Sequence, residues 1–220
     1  MIELLNFTTI SRIFDGVFVL LFVAFLSIFI ATFCGLIMGR VMIVKNILLY
    51  VICKLFLEIV RVIPLIAWLF IIFYGIPSTF NIHINAFMSA IIVFSMWGTA
   101  EMGDLVRASI LSIPKHQRES ALALGFNAFQ IEIFVILPQA LKALIPSAVN
   151  LFGRIIKTTS LLSLIGVVEL LKVGHQLIEV FGKNDHNISF IVYGGILVIY
   201  FCLCYPFAYL GNYLEKRLKT

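Results

Sequence analysis

The sequence predicts an all-α protein, an integral membrane bundle of about five transmembrane helices. Of its 220 residues, 62% are hydrophobic and only 12% are charged, and the mean hydropathy is +1.10. Soluble domains are about 45–50% apolar and about 25% charged, so this composition is typical of a membrane protein. The apolar runs lack the alternation of a transmembrane barrel, which leaves helices as the spanning elements.

Five apolar segments reach the length of about 20 residues that a helical span needs. They cover approximately residues 14–38, 47–73, 86–111, 131–152 and 188–210. The last leads into a positively charged tail. A mixed segment with amphipathic pieces lies between the fourth and the fifth.

The Lys and Arg residues predict the orientation of the bundle. Those in two alternate connections and in the tail fall on one side, whereas the loop 75–85 contains none. The positive-inside rule therefore places these charges in the cytoplasm and the N-terminus outside. Because the basic residues are dispersed among apolar segments, the net charge of +5 does not indicate a nucleic-acid partner. The cytoplasmic charges are Arg40, Lys45, Lys115, Arg118, Lys216, Arg217 and Lys219.

The sequence contains no pattern typical of an enzyme or a metal site. The four Cys and four His residues have no metal-ligand spacing, and no nucleophile-elbow motif occurs. A phosphate-binding loop around Lys157 would need Gly at two positions that Ile156 and Leu151 occupy. We therefore expect no catalytic residue, no metal and no cofactor in this chain.

Charged residues lie inside two predicted spans, where they are costly unless they pair or face a cavity. Glu58 and Arg61, three residues apart, predict either a structural ion pair or a direct role in a transport path. Asp104 and Arg107 have the same spacing and predict the same kind of pair. Glu101 has no local partner.

Two hypotheses follow for Glu101. If it is unpaired and faces the axis of the bundle, its carboxylate would favour a cationic or zwitterionic solute. Alternatively, it pairs with Lys157 or Arg154 from a neighbouring segment.

A short helix is predicted between the third and fourth spans. The segment ESALALG, from Glu119 to Gly125, combines strong helix formers with a terminal Gly that stops the helix. Pro138 is predicted to break the following helix, because it lacks an N–H and clashes with the preceding turn. The physical pattern is compatible with an ordinary connector lying across the cytoplasmic surface of the membrane.

The spacing of Glu119, Ala121, Gly125 and Leu137-Pro138 resembles the EAA loop of ABC importer permeases, here at about 113–138. Ser120 replaces a second Ala, and Val135 replaces an Ile. In that family the short helix docks on an ATPase subunit.

Further matches run in order from about residue 58 to 161. The first, from Glu58 to Leu65, resembles E-x-x-R-G-x-P-L, and the second, from Ala100 to Arg107, resembles A-Y-x-x-E-x-x-R. Here Val62 stands for the Gly, Glu101 for the Tyr and Asp104 for the Glu. Three more matches are Ser112 to Gln117 with S-V-P-x-G-Q, Pro138 to Ala140 with P-Q-A, and Lys157 to Leu161 with K-x-T-S-L. The combination is similar to polar amino acid permeases of the histidine, glutamine and arginine type.

The resemblance implies a single permease domain over residues 1–220 in the bacterial cytoplasmic (inner) membrane. It implies an ATP-driven importer with two ATPase subunits that use the ATP, a second permease copy or paralogue, an extracytoplasmic solute-binding protein and a polar amino acid substrate. Glu119, Ala121, Gly125 and Pro138 would couple to the ATPase. The substrate path would include Glu101, Asp104, Lys157, Thr159 and Ser160.

Two other functions remain open from the sequence. The chain could be an ATP-independent channel or carrier, or a structural membrane protein with a surface helix. Many carriers contain an internal repeat, and we detect none here.

Overall fold

The computed structural model describes residues 6–182 and 187–218, and all regular secondary structure in these ranges is helical. The predicted all-α fold is confirmed. Lys219, one of the predicted cytoplasmic charges, lies outside the described residues. In chain order, the helices of the described ranges are α1 (Phe7–Val41), α2 (Ile47–Val62), α3 (Leu65–Phe80), α4 (Ala86–Leu111), α5 (Lys115–Ala123), α6 (Ala128–Ile165), α7 (Leu170–Phe181) and α8 (Ile188–Leu218).

Four helices in the described ranges are long and apolar enough to cross a membrane, namely α1, α4, α6 and α8. Helices α2 and α3 satisfy the same criteria together, as one span bent by 99°, which brings the number to five. The break lies at Pro64, inside the segment 47–73 that the sequence predicts as the second span. Pro64 disfavours helical geometry in the residue before it, and Ile63 is accordingly extended, with ψ of 128°.

Helices α1 and α4 approach closely through small residues. A Cβ added to Gly39 would lie 2.5 Å from the carbonyl oxygen of Gly103, and one added to Gly98 would lie 2.6 Å from the Cβ of Ala31. Small residues allow this proximity, and the resulting van der Waals packing holds helices together in lipid. Because Ala31 meets Gly98 and Gly39 meets Gly103, the two helices run parallel.

The centre of the bundle is formed by α1, α4 and α6, with α8 packed against α6. Gly211 of α8 lies against Asn150, and Gly153 of α6 lies against Phe207, so α6 and α8 are antiparallel. On its opposite side, α1 exposes a row of Phe side chains at helical spacing, as expected of a face covered by lipid. The central buried residues include Leu20, Ala24, Met102, Leu151 and Ile155.

Helix α6 passes through Pro138 without a break, contrary to the prediction. The segment Ile131–Ile136 is π-helical, and the N–H of Leu137 donates to the carbonyl of Glu132, five residues back. Pro138 lacks an N–H and crowds the preceding turn. The wider π-helical turn accommodates that crowding, so the chain continues as a helix to Ile165.

Glu169 is a fully buried carboxylate at the start of α7. It accepts hydrogen bonds from the backbone N–H groups of Leu171 at 2.9 Å and Lys172 at 3.0 Å, and from the Tyr200 hydroxyl of α8 at 2.9 Å. This side chain therefore caps α7 and ties it to α8. Burial raises the pKa of Glu169, although all three hydrogen bonds act to lower it.

Replacing Glu169 with Ala is expected to lower the stability of the protein by about 1–3 kcal/mol, because buried donors lose their acceptor. The pKa is raised in the folded state, so the stabilisation that comes from protonated Glu169 is fully present below the ordinary glutamate pKa of about 4.3 and is lost as the pH rises through the folded value. Glu169→Gln should remove that dependence. Thermal unfolding of the detergent-solubilised protein between pH 4 and 8 tests both effects. A wild-type melting temperature for Glu169→Ala would contradict the capping role.

Candidate functional site

Five charged side chains meet between α2, α4 and α6, and we call them the charge cluster: Arg61, Glu101, Asp104, Arg107 and Arg154. Arg61 donates from Nε to Glu101 at 3.0 Å and from Nη2 to Asp104 at 3.1 Å. Arg154 donates to the other oxygen of Glu101 at 2.8 Å, and Arg107 donates to Asp104 at 2.8 Å. Guanidinium groups thus hold both carboxylates. No group of three or more potential metal ligands occurs in the described residues.

The cluster decides between the predictions made for these charges. The Asp104–Arg107 pair is confirmed, and Glu101 pairs with Arg154, so the hypothesis of an unpaired Glu101 is wrong. The predicted Glu58–Arg61 pair is also wrong. Arg61 reaches across to α4 instead, where it binds two carboxylates at once, and Glu58 is exposed without an ion pair in the described structure.

The charge cluster leaves its positive groups accessible. The Glu101 side chain is only 12% exposed, whereas the side chains of Arg61 and Arg154 are 41% and 51% exposed. Three guanidinium groups and two carboxylates give a net charge of +1. Arg154 also lies over the Trp97 ring, 5.8 Å from its centroid. This arrangement can bind a carboxylate at the exposed guanidinium groups and a cation at the carboxylates.

The remaining residues predicted for the path lie elsewhere. Lys157 lines a pocket against α8 together with Tyr200. Thr159 is fully buried and donates to the carbonyl of Ile156 at 2.7 Å, and Ser160 donates to the carbonyl of Lys157 at 3.1 Å. Within the described residues, none of the three predicted path residues forms an ion pair or hydrogen bond with the charge cluster. Their role in transport stays a prediction.

The predicted short helix is present as α5, and it begins at Lys115, four residues before the predicted start. It ends at Ala123, and Gly125, just beyond the C-cap Leu124, has a φ of +86°. The N–H of Phe126 donates to the carbonyl of Ala121 at 3.1 Å, and the N–H of Gly125 donates to that of Leu122 at 2.9 Å. This pair of bonds is the Schellman motif, which favours Gly at the left-handed position.

The coupling residues divide into an anchor and an exposed surface. Ala121 is buried and packs with Ile131 and Ile136 of α6. Glu119 and Gly125 are exposed on the outside of α5, and Pro138 is exposed in α6. Ala121 therefore anchors α5 in an apolar contact with α6, and the exposed surface carries Glu119 together with Leu122 and Leu124.

Polar contacts missed by the sequence analysis also attach α5. Glu132 of α6 forms ion pairs with Arg118 of α5 and with Arg40 of α1, the latter at 2.9 Å. Gln139 of α6 donates to Gln117 of α5 at 3.4 Å. Glu132 and Arg118 are 14 residues apart and follow no helical spacing, so nothing in the sequence indicates their contact.

Comparison with known proteins identifies relatives across most of the chain. Residues 31–220 match the family described as the binding-protein-dependent transport system inner membrane component. The probable glutamine ABC transporter permease protein GlnP of Bacillus subtilis is 30% identical over 209 residues, which cover 94% of each chain. The L-cystine transport system permease protein TcyB of the same organism is 35% identical over 165 residues, 75% of this chain and 68% of that protein.

Solved structures share the fold. A crystal structure of an amino acid ABC transporter with histidines superimposes with a TM-score of 0.86 at 25% identity, over 96% of this chain and 95% of the other. The MetNI methionine ABC transporter, in an inward-facing conformation, gives a TM-score of 0.77 at 22% identity, over 97% and 99% of the two chains, which supports the fold alone.

These matches favour a permease over an ATP-independent channel or a structural protein. The family is one of transport subunits and not of enzymes, and ABC permeases work with ATPase and solute-binding partners. The chain belongs to the family of inner membrane components of binding-protein-dependent transport systems, and it is a multi-pass permease subunit of the inner membrane.

Proposed function

We propose that this permease imports polar amino acids. The charge cluster carries the proposal, because an amino acid has a carboxylate and an ammonium group and the cluster offers partners for both. The exposed guanidinium groups of Arg61 and Arg154 suit the carboxylate, and Glu101 and Asp104 suit the ammonium group. Similar proteins are named for glutamine and cystine transport, which supports the same substrate class.

The paired state of Glu101 changes how substrate would bind. A zwitterion entering the cluster competes with existing ion pairs instead of neutralising a free carboxylate. The exchange replaces one set of charge-assisted hydrogen bonds with another, so the substrate need not carry a net charge. A neutral polar amino acid such as glutamine therefore has partners for both of its charged groups in the cluster.

The proposed transporter contains two permease subunits, either two copies of this chain or this chain and a paralogue. Two ATPase subunits lie on the cytoplasmic side and use the ATP, and a solute-binding protein delivers substrate from outside. We propose that residues 1–220 act as one permease domain and that the chain itself needs no cofactor.

Helix α5 is the proposed docking element for the ATPase. Glu119 and Gly125 would contact the ATPase, Ala121 would anchor the helix, and Pro138, beside the π-helical turn, would set the angle of α6 behind it. When ATP closes the ATPase subunits, the docked helices move together and the bundle opens outward. Hydrolysis then reverses the movement.

Copurification with the ATPase and ATP-dependent uptake in proteoliposomes test this function. Glu119→Lys is expected to reduce ATPase recovery and uptake about tenfold, since a tenfold loss needs only about 1.4 kcal/mol at an interface. Gly125→Asp should have a similar effect, because a non-Gly residue at this left-handed position costs about 1–2 kcal/mol and disturbs the end of α5.

Lys45→Glu is the matched control, because it reverses an exposed charge on the same side of the membrane outside α5. It should leave ATPase recovery and uptake unchanged. If both α5 variants kept full ATPase stimulation and uptake, docking through α5 would be wrong.

A further inference from the structure

Glu132 contacts guanidinium groups from two other helices. Arg118 comes from α5, and Arg40 comes from the last turn of α1, with its Nη2 2.9 Å from the Glu132 carboxylate. Glu132 itself belongs to the π-helical segment of α6. One carboxylate therefore joins the proposed docking helix to two spans of the bundle.

The contact between Glu132 and Arg40 lies beside a pocket that opens to the protein surface. A cavity of about 360 Å³ separates parts of α1, α4 and α6, and Arg40 and Glu132 both line it. The other walls are mainly apolar and include Leu36, Val106 and Ile136. The Arg40–Glu132 ion pair therefore bridges α1 and α6 at the edge of this pocket.

The backbone at Glu132 also departs from ordinary α-helical geometry. In the π-helical turn, the Glu132 carbonyl accepts from Leu137, five residues on. Such turns are rare in helices and often occur at functional sites.

The ion pairs themselves contribute little to stability. The Glu132 side chain is 25% exposed and both Arg side chains are 52% exposed, and ion pairs with this exposure stabilise a fold weakly. Such contacts can break and form again during a transport cycle. A role in the relative movement of α1, α5 and α6 therefore explains these ion pairs better than a contribution to the free energy of folding does.

We propose that Glu132 transmits the displacement of α5 to α1, as a positioning residue for energy coupling; this inference rests on the proposed docking of α5. When the ATPase moves α5, the Arg118–Glu132 ion pair moves the adjacent turn of α6. The Glu132–Arg40 ion pair then moves the cytoplasmic end of α1. Because α1 packs on α4 through glycines, α4 moves with it and carries Glu101 and Asp104. The movement thereby reaches the charge cluster.

The test measures ATP hydrolysed per solute imported by the complete transporter in proteoliposomes. Glu132→Gln and Arg40→Gln are each expected to raise this ratio about three- to tenfold, which lies within the range of about two- to thirtyfold found for residues that modulate coupling. ATPase copurification should stay at the wild-type level, because the outer surface of α5 is unchanged. The double variant should be no worse than either single variant, since both remove the same contact.

Lys45→Gln is the control for charge loss, because Lys45 is exposed near the end of α1 and forms no ion pair in the described structure. It should keep the wild-type ratio. The charge-exchanged variant Arg40→Glu/Arg118→Glu/Glu132→Arg restores both pairs and should recover coupling, even if Glu132→Gln impairs assembly.

Two results would overturn the inference alone: a wild-type ratio for Glu132→Gln, or no recovery of coupling in a charge-exchanged variant that still copurifies with the wild-type amount of ATPase. A wild-type permease that neither copurifies with an ATPase nor imports solute with ATP would instead overturn the proposed function, and this inference with it.

Discussion

Glu101→Ala is expected to reduce ATP-dependent uptake about tenfold or more and to lower the melting temperature. The substitution removes the carboxylate that binds both Arg61 and Arg154, and it raises the net charge of the charge cluster from +1 to +2. Removing one member of a buried pair costs about 3–5 kcal/mol. The two Arg side chains are about half exposed, so we expect about 1–3 kcal/mol here.

Uptake and thermal unfolding should be measured on the same preparation, so that loss of fold and loss of transport are separated. Glu58→Gln is the matched control, because it removes an exposed carboxylate that forms no ion pair in the described part of the chain. It should affect neither quantity.

Substrate contact at Glu101 has its own readout. In a Glu101→Gln variant, the order in which lysine, arginine and glutamine inhibit uptake should change. The substitution removes one acceptor for the ammonium groups of these amino acids. If the variant transported more slowly with an unchanged order of competition, Glu101 would be structural and the substrate site would lie elsewhere.

Gly39→Val is expected to have the largest effect on folding. The new Cβ would lie 2.5 Å from the carbonyl oxygen of Gly103 and 2.6 Å from the Cβ of Val106, and neither backbone nor a β-branched side chain can turn away. Overpacking costs about 1–3 kcal/mol, and more where backbone must shift. Helices α1 and α4 would have to separate along their whole contact.

The measurement is the amount of monodisperse permease recovered in detergent and its melting temperature. Gly194→Val in α8 provides the control, because a Cβ at Gly194 would meet no atom within 4 Å. Equal melting temperatures for the two variants would show that the α1–α4 contact does not determine the stability of the bundle.

Features that depend on local chemistry were predictable from the sequence. The apolar runs predict the spans because the length of a helix must match the membrane. Gly125 predicts the end of α5 because a left-handed residue favours Gly whatever surrounds it. Asp104 and Arg107 pair because both lie on one face of one helix.

Features that depend on neighbouring helices were not predictable. Arg61 prefers two carboxylates of α4 to its local partner Glu58, and this choice exists only once α2 lies beside α4. Nothing in the sequence distinguishes Glu169 from an exposed glutamate. It is nevertheless buried, and the Tyr200 hydroxyl of α8 donates a hydrogen bond to it. Before Pro138 the backbone forms a wider π-helical turn, and the helix continues. The presence of Pro in the sequence does not distinguish this outcome from a break in the helix.

The bend at Pro64 also has an electrostatic consequence. It ends α2 and begins α3 next to Arg61, so a helix C-terminus and a helix N-terminus meet within one span. The aligned peptide dipoles place about half a negative charge at the first and half a positive charge at the second. The partial negative charge of the α2 C-terminus and the partial positive charge of the α3 N-terminus therefore lie next to Arg61. Substitutions of side chains in the charge cluster do not remove these backbone charges.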